Sequence, residues 1–202
     1  NAKIISLPDG GYVIVWEHYP TVGVTKSVIM ARRYDKYNIP GPQFQVNEPS
    51  ERQADYKPDG TSLPDGGYVI VWQDAANLAT NPYPRVMIQR FHANNTKYDL
   101  HIIGTGTDAY YRETKVMGLK DGGYLVAFSK RTPSNVKEMF GQRFNSLNEK
   151  VNVIFKLNSA GSDENLLDIC SVSNGGYIVA TTFRLTTSTD YKMIKVRSFD
   201  SN

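Results

Sequence analysis

The strongest constraint on this chain is a stretch that comes back four times. Ser6-Leu7-Pro8-Asp9-Gly10-Gly11-Tyr12-Val13-Ile14-Val15-Trp16 returns nearly unchanged from Ser62 to Trp72. Weaker copies follow in Asp121-Gly122-Gly123-Tyr124-Leu125-Val126-Ala127-Phe128 and Asn174-Gly175-Gly176-Tyr177-Ile178-Val179-Ala180-Thr181. Their tyrosines stand 56, 56 and 53 residues apart. An Asp-Gly or Asn-Gly pair ahead of a β-branched, aromatic run marks a hairpin, because a tight turn needs positive φ and the Gly pair supplies it. The chain therefore reads as one repeat-built domain over 1–202, with units at approximately 1–50, 51–107, 108–160 and 161–202.

Each unit carries further strand signals. Met30-Ala31-Arg32-Arg33-Tyr34, Met87-Ile88-Gln89-Arg90-Phe91, Phe140-Gly141-Gln142-Arg143-Phe144 and Lys195-Val196-Arg197-Ser198-Phe199 read as third strands. Phe44-Gln45-Val46-Asn47, His101-Ile102-Ile103 and Val153-Ile154-Phe155-Lys156-Leu157 read as fourth strands. Asn165 to Ile169 has a helical look but holds the register of Lys3 to Leu7, so it is assigned to a first strand. The fold class is all-β and β-propeller-like: four repeats of about four antiparallel strands, because each small twisted sheet buries its faces only against neighbouring blades. Fifteen strands are counted instead of sixteen. A closed four-bladed ring leads, with a segment of a larger propeller next.

The Gly-Gly-Tyr hairpins, the Gln-Arg-Phe strands and the Phe-Gln-Val-Asn ending resemble a repeat of large secreted or cell-surface proteins of bacteria and some protists. The match is closest over residues 2–47 and 58–91 and decays where Thr181 takes the Trp position and Arg197-Ser198-Phe199 replaces Gln-Arg-Phe. The resemblance implies adhesion, matrix or lectin-like work, and carries no catalytic residue over.

Composition narrows the classes. Thirteen Tyr and ten Pro suit pleated, half-buried surfaces better than helices. A net charge of +3 without a basic run excludes nucleic acid and anionic membrane as expected partners. No apolar run is long enough for membrane insertion by a helix. The one cysteine, Cys170, forms no disulfide within the chain and reads as a buried hydrophobe on a strand. The chain begins without Met and reads as a mature or excised segment.

Function is expected on the face opposite the Gly-Gly turns, where the second-to-third-strand loops and the links between units differ most among the copies. Tyr19, Tyr56, Tyr83, Tyr110, Tyr111 and Tyr191 fall there, among Asp55, Arg85, Asp108, Arg112 and Asp190. Tyrosine offers a flat apolar face and a polar tip, as a sugar or protein partner requires. Tyr19, Tyr56, Tyr83, Arg85, Asp108, Tyr110, Tyr111, Arg112 and Tyr191 are the candidate ligand-binding residues. Trp16, Trp72 and Phe128 share one register and are read as blade-to-blade core, as are Tyr12, Tyr68, Tyr124 and Tyr177. Arg33, Arg90 and Arg143 are read as structural ion-pair or stacking residues.

Metal and cofactor are not expected. Asp9, Asp65 and Asp121 are turn residues, since one Asp per tight turn supplies too few oxygens for a cation. Asp55, Asp59 and Asp108 show no ligand spacing. His18, His92 and His101 sit in different registers and belong to no nucleophile motif. Glu17, Glu113 and Asp168 are the carboxylates that a glycosidic reaction across the central opening would draw on, yet their registers do not pair. Asn94-Asn95-Thr96 is an N-glycosylation sequon at a hairpin tip on the turn face. The sequence alone thus points to a non-catalytic recognition module, secreted or at the cell surface, binding a glycan or a cell-surface or matrix protein. The alternative is a structural or assembly repeat that contacts partners through edge strands, as a homo-oligomer or by continuation into further repeats.

Overall fold

The computed structural model describes residues 1–20, 27–48, 55–74, 83–104, 109–131, 137–158, 164–184 and 192–200. Among these residues fifteen strands form four antiparallel sheets. Blade 1 holds β1 (Ala2–Ser6), β2 (Tyr12–His18), β3 (Val28–Tyr34) and β4 (Pro40–Gln45). Blade 2 holds β5 (Asp55–Ser62), β6 (Tyr68–Asp74), β7 (Arg85–Phe91) and β8 (His101–Ile103). Blade 3 holds β9 (Tyr110–Gly118), β10 (Tyr124–Arg131), β11 (Lys137–Phe144) and β12 (Lys150–Lys156). Blade 4 has three strands, β13 (Glu164–Ser171), β14 (Tyr177–Arg184) and β15 (Lys192–Phe199). The expected propeller architecture, the fifteen-strand count and the strand assignment of Asn165 to Ile169 all hold.

The hairpin that organises the sequence has one geometry in all four blades. Asp9 Oδ1 accepts the Gly11 amide at 2.9 Å, Asp65 that of Gly67 at 2.9 Å, Asp121 that of Gly123 at 2.9 Å, and Asn174 that of Gly176 at 3.1 Å. The two glycines do different jobs. The first takes positive φ, 84° at Gly10 and 82° at Gly122. The second does not. A Cβ on Gly123 would lie 2.4 Å from the Phe144 carbonyl oxygen, and one on Gly67 would lie 2.5 Å from that of Phe91, so the second glycine admits a neighbouring backbone.

Directly after each turn the tyrosine stacks on the aromatic residue of the third strand. Tyr12–Tyr34, Tyr68–Phe91, Tyr124–Phe144 and Tyr177–Phe199 lie 4.7–4.8 Å apart and within 11° of parallel. Burial raises the phenol pKa of Tyr68 and Tyr124 well above the usual range, and that of Tyr177 to about 12. These tyrosines are scaffold, as the sequence predicted.

Alternation along the second strands sorts side chains between the two faces of a blade. Val13 and Val15 of blade 1 meet Tyr68, Ile70 and Trp72 of blade 2. Val69 and Val71 of blade 2 meet Tyr124, Val126 and Phe128 of blade 3, and Leu125 and Ala127 of blade 3 meet Val179 of blade 4. Three interfaces result, with β1, β5, β9 and β13 innermost and packed in that order. Trp72 and Phe128 are core. Trp16 is only half-buried, because its face of blade 1 has no preceding blade against it.

Arg33 and Arg90 are pins between blades, and Arg143 makes the equivalent ion pair within blade 3. Arg90, 1% exposed, pairs with Asp65 at 2.7 Å and donates to the Ser146 carbonyl of blade 3 at 2.6 Å. Arg33 pairs with Asp9 at 2.6 Å and donates to the Ala93 carbonyl of blade 2, and Arg143 pairs with Asp121 at 2.6 Å. Blade 4 lacks this pin. Ser198 stands at the arginine register and Asn174 at the aspartate position. The leading expectation of a closed four-bladed ring is corrected accordingly: among the described residues β13 does not pack on β1, and Ile194 and Val196 on the free face of blade 4 are 69% and 61% exposed. Their counterparts Ile29 and Ala31 are fully buried. Cys170 lies on the same free face and is exposed, which corrects its reading as a buried residue.

Where blade 4 departs from the repeat it is internally compensated. In blade 2 the Trp72 indole donates to the buried Asp55 at 3.0 Å. In blade 4 Thr181 occupies the Trp register and donates to the longer Glu164 at 2.8 Å, while Arg197 also pairs with Glu164.

Two outcomes follow from the turns. Gly123→Ala is expected to destabilise the fold by about 2 kcal/mol or more, against about 1 kcal/mol for Gly122→Ala at the positive-φ position, read from denaturant unfolding of both variants. The Asp9 carboxyl is held below its ordinary value of 3.8 by the Gly11 amide and Arg33. At Asp121 desolvation raises the pKa, but the Gly123 amide and Arg143 outweigh it and the net shift is also downward. A carboxyl with a depressed folded-state pKa contributes its full stabilisation above its unfolded value and loses it as pH falls through the folded one. The melting temperature is therefore expected to drop below pH 3.8, and less steeply in the Asp121→Asn variant, measured by circular dichroism.

Candidate functional site

The innermost strands bring one register position of every blade to the axis. Lys3, Asp59, Lys115 and Asp168 pair with Val15, Val71, Ala127 and Ala180 of their second strands, so they are equivalent residues of the repeat. Their charges alternate around the channel. Lys3 Nζ lies 3.2 Å from Asp59 and Lys115 Nζ 3.9 Å from Asp168. Asp59 is buried and its Oδ2 also accepts the Val116 amide at 3.1 Å, whereas the Asp168 side chain is 70% exposed. A cavity of about 520 Å³ runs along this axis. All four innermost strands line it, and both aspartates reach it.

One turn of strand nearer the face opposite the hairpins, the tyrosine-rich surface assembles. Tyr56 stands three positions before Asp59 along β5, across the bulge at Lys57. Burial raises the Tyr56 phenol pKa, the Arg112 charge opposes the rise, and the charges of Asp74 and Glu17 add to it. Tyr19, 54% exposed, donates to Glu17 at 2.5 Å, and that carboxylate raises its pKa. Tyr83 meets Tyr110 edge to face at 4.6 Å, and the Arg112 guanidinium sits 5.2 Å over the Tyr110 ring. Arg85 is held by Asp74 through Nε at 3.1 Å and Nη2 at 2.5 Å.

Most of the sequence-predicted set is therefore found on this face: Tyr19, Tyr56, Tyr83, Arg85, Tyr110 and Arg112. Tyr111 is the exception. It is buried between blades 2 and 3 and packs against Phe128 at 5.9 Å, because alternation along β9 sends it to the opposite side from Tyr110. Asp108, Tyr191 and Asp190 lie outside the described residues. Asp55 is not on the surface either: it is buried, and accepts from Trp72 and from Asn47 at 2.7 Å. Asn94 is exposed on the hairpin face, with its Oδ1 accepting from the Thr96 hydroxyl at 2.7 Å.

Asp59, weighed in the sequence only as a cation ligand, is the axial carboxylate that the sequence reading did not pair with Asp168. Its signal was available: Lys3, Asp59, Lys115 and Asp168 follow the same 56, 56 and 53 spacing as the tyrosines. Glu113, considered for chemistry, is engaged by Lys137 and accepts the Leu166 amide at 3.1 Å, linking blade 3 to blade 4. Its φ of 51° belongs to the bulge of β9 and recurs at Lys57 in β5, at 54°, so the strain is architectural. His18, His92 and His101 do not gather; His101 contacts the Asn148 carbonyl at 2.7 Å and His92 stacks on Tyr98. No group of three or more metal-ligating side chains occurs among the described residues. A further cleft, about 730 Å³, opens between blades 3 and 4 on the hairpin side. Its walls are interface apolar residues such as Leu125, Phe155, Tyr177 and Phe199, and it is far along the blade from the axial carboxylates.

No protein-family model and no curated protein matches the chain. Solved structures do. The microbial sialidase Hz136 superposes with a TM-score of 0.67 at 11% identity, over 97% of this chain and 43% of the sialidase. The α-L-arabinanase of Penicillium chrysogenum gives 0.65 at 15% identity, over 98% and 61%. The GH93 α-L-arabinofuranosidase of Fusarium graminearum gives 0.66 at 13% identity, over 100% and 62%. The chain is thus similar in fold to these propellers and spans less than two thirds of the length of each. All three are enzymes acting on saccharides by name. This overturns the expectation of a non-catalytic recognition or assembly module, because the scaffold it was assigned to is shared with enzymes. The propeller architecture is the part of the sequence reading that stands.

Proposed function

We propose that the chain forms the saccharide-binding and saccharide-cleaving body of a glycoside hydrolase that works outside the cell. One observation supports this reading above the others: Asp59 and Asp168, equivalent residues of the non-adjacent blades 2 and 4, reach a single axial cavity. Glycosidic cleavage needs two carboxyl groups flanking the scissile bond. One donates a proton to the leaving oxygen, and the other attacks the anomeric carbon or activates the water that does. The two aspartates supply such a pair, with Lys3 and Lys115 beside them. The tyrosine-rich face then serves as the entrance, its rings stacking on sugar faces and its hydroxyls bonding sugar hydroxyls.

The test is a panel of aryl glycosides and oligosaccharides, including arabinofuranosides and sialosides, with Asp59→Asn and Asp168→Asn alongside the wild-type chain. Each variant is expected to lower kcat by about 10²-fold or more while remaining folded, read by circular dichroism. Wild-type rates in both folded variants would remove these aspartates from the chemistry. A folded wild-type chain that cleaves nothing on the panel would remove the hydrolase reading.

A further inference from the structure

Blades 1 and 3 close the outer edge of their third strand in the same way. Phe44 stands opposite Ala31, and Phe155 opposite Gly141. Two residues further on, the Val46 amide donates to the Ile29 carbonyl and the Leu157 amide to that of Met139, both at 2.8 Å. The following side chain completes the cap: Asn47 Oδ1 accepts the Ile29 amide and Asn158 Oδ1 the Met139 amide, both at 2.9 Å. The pattern Phe-x-Val/Leu-Asn therefore satisfies both outward backbone groups of one third-strand residue. In blade 2, His101 and Ile103 take the Phe and Val places.

In blade 4 that third-strand place belongs to Ile194, which pairs with Thr182 as Ile29 pairs with Glu17. Among the described residues no strand lies beyond β15, so this edge keeps its donors and acceptors open. The side chains suit strand addition. Ile194 and Val196 form an exposed apolar stripe, while Lys195 and Arg197, charges that would guard an edge, turn to Glu164. Arg197 also keeps a donor in reserve. At its register Arg32 Nε donates to the Gly41 carbonyl at 2.8 Å, and Gln89 and Gln142 donate to the carbonyls of Tyr98 at 2.7 Å and Val151 at 3.2 Å, all on the segment alongside. Arg197 commits Nη1 and Nη2 to Glu164, and its Nε donates to no group among the described residues.

We infer that the outer edge of β15 is a peptide-binding site, taking an extended Phe-x-Val/Leu-Asn segment of a partner protein as an antiparallel fourth strand. The Phe stands opposite Val196. The Val or Leu amide donates to the Ile194 carbonyl, and the Asn side chain accepts the Ile194 amide. Main-chain hydrogen bonds hold such a strand, and alternate side chains set its register. A second copy of this chain does not supply the segment, because its own two copies of the pattern are already built into blades 1 and 3, with Val46 and Leu157 each 1% exposed. The site is on the outermost strand of blade 4, whereas Asp168 is on the innermost, so this inference is independent of the saccharide reading.

The experiment is fluorescence anisotropy of a labelled peptide that copies residues 40–48, titrated with the 202-residue chain. Saturable binding is expected, and a scrambled peptide is expected not to bind. N-methylation of the peptide nitrogen copied from Val46, and Asn47→Ala in the peptide, each remove one hydrogen bond to Ile194 and are expected to weaken binding by about threefold or more. Val196→Lys in the chain, shown to be folded by circular dichroism, is expected to weaken it as well. No binding by the folded chain, or equal affinity for the N-methylated or scrambled peptide, overturns the inference. Light scattering without peptide decides the other occupant: a dimer that Val196→Lys dissolves gives this edge to a second copy and likewise overturns it.

Discussion

A single carboxylate at the hairpin tip of blades 1 and 2 joins three levels of this structure. One oxygen of Asp65 accepts the Gly67 amide and closes the turn, and the other pairs with Arg90 of the third strand. The same guanidinium then donates to the Ser146 carbonyl of the next blade. Turn, blade and interface therefore depend on one side chain. Arg90 is almost fully buried while Asp65 is half exposed, so removal of Asp65 would strand the guanidinium charge inside the protein. In blade 4 Asn174 and Ser198 stand in place of the pair, and Ile194 and Val196 on its outer face are exposed.

The pin matters because a blade is too thin to stand alone. Three or four short strands have two apolar faces, and each face is buried only by a neighbour. That requirement fixes one residue of every innermost strand at the axis. The repeat sets where these residues stand but not their chemistry, and Lys3, Asp59, Lys115 and Asp168 fill equivalent places with alternating charge. The candidate site is thus made of positions that architecture places and leaves chemically free. The same holds at the opposite face, where one bulge presents Tyr56 and Lys57 in blade 2 but Arg112 and Glu113 in blade 3.

Much of this was legible in the residues. Repetition of one hairpin gave the strand registers, since Gly-Gly-Tyr can sit in only one place in each unit, and registers gave the faces of the blades. The stacking of Tyr124 on Phe144 and the burial of Trp72 were expected on that basis. The second glycine was misread, because the close approach of the Phe144 carbonyl belongs to the neighbouring strand and leaves no local signal. Tyr111 was misplaced for a related reason: proximity to Tyr110 in sequence means the opposite side of a strand in space. Cys170 looked like core in an apolar run, and was exposed only because no blade lies over it. The non-catalytic expectation drew on mismatched registers among Glu17, Glu113 and Asp168, whereas the carboxylate that shares the register of Asp168 is Asp59.

What the sequence determined by itself was the repeat, the all-β class, the turn chemistry and the pinning arginines. These rest on local backbone geometry and on a period that every copy repeats. What only the tertiary structure decided was which residues of different copies meet. Asp59 and Asp168 are more than a hundred positions apart in the chain, and the curvature of the blade stack brings both to one cavity. Arg112 likewise comes to share a cavity with Arg131 and Lys137 only once β9, β10 and β11 are paired. The physical reason is the same in both cases: a period fixes position within a blade, whereas the packing of blades around an axis fixes which positions converge.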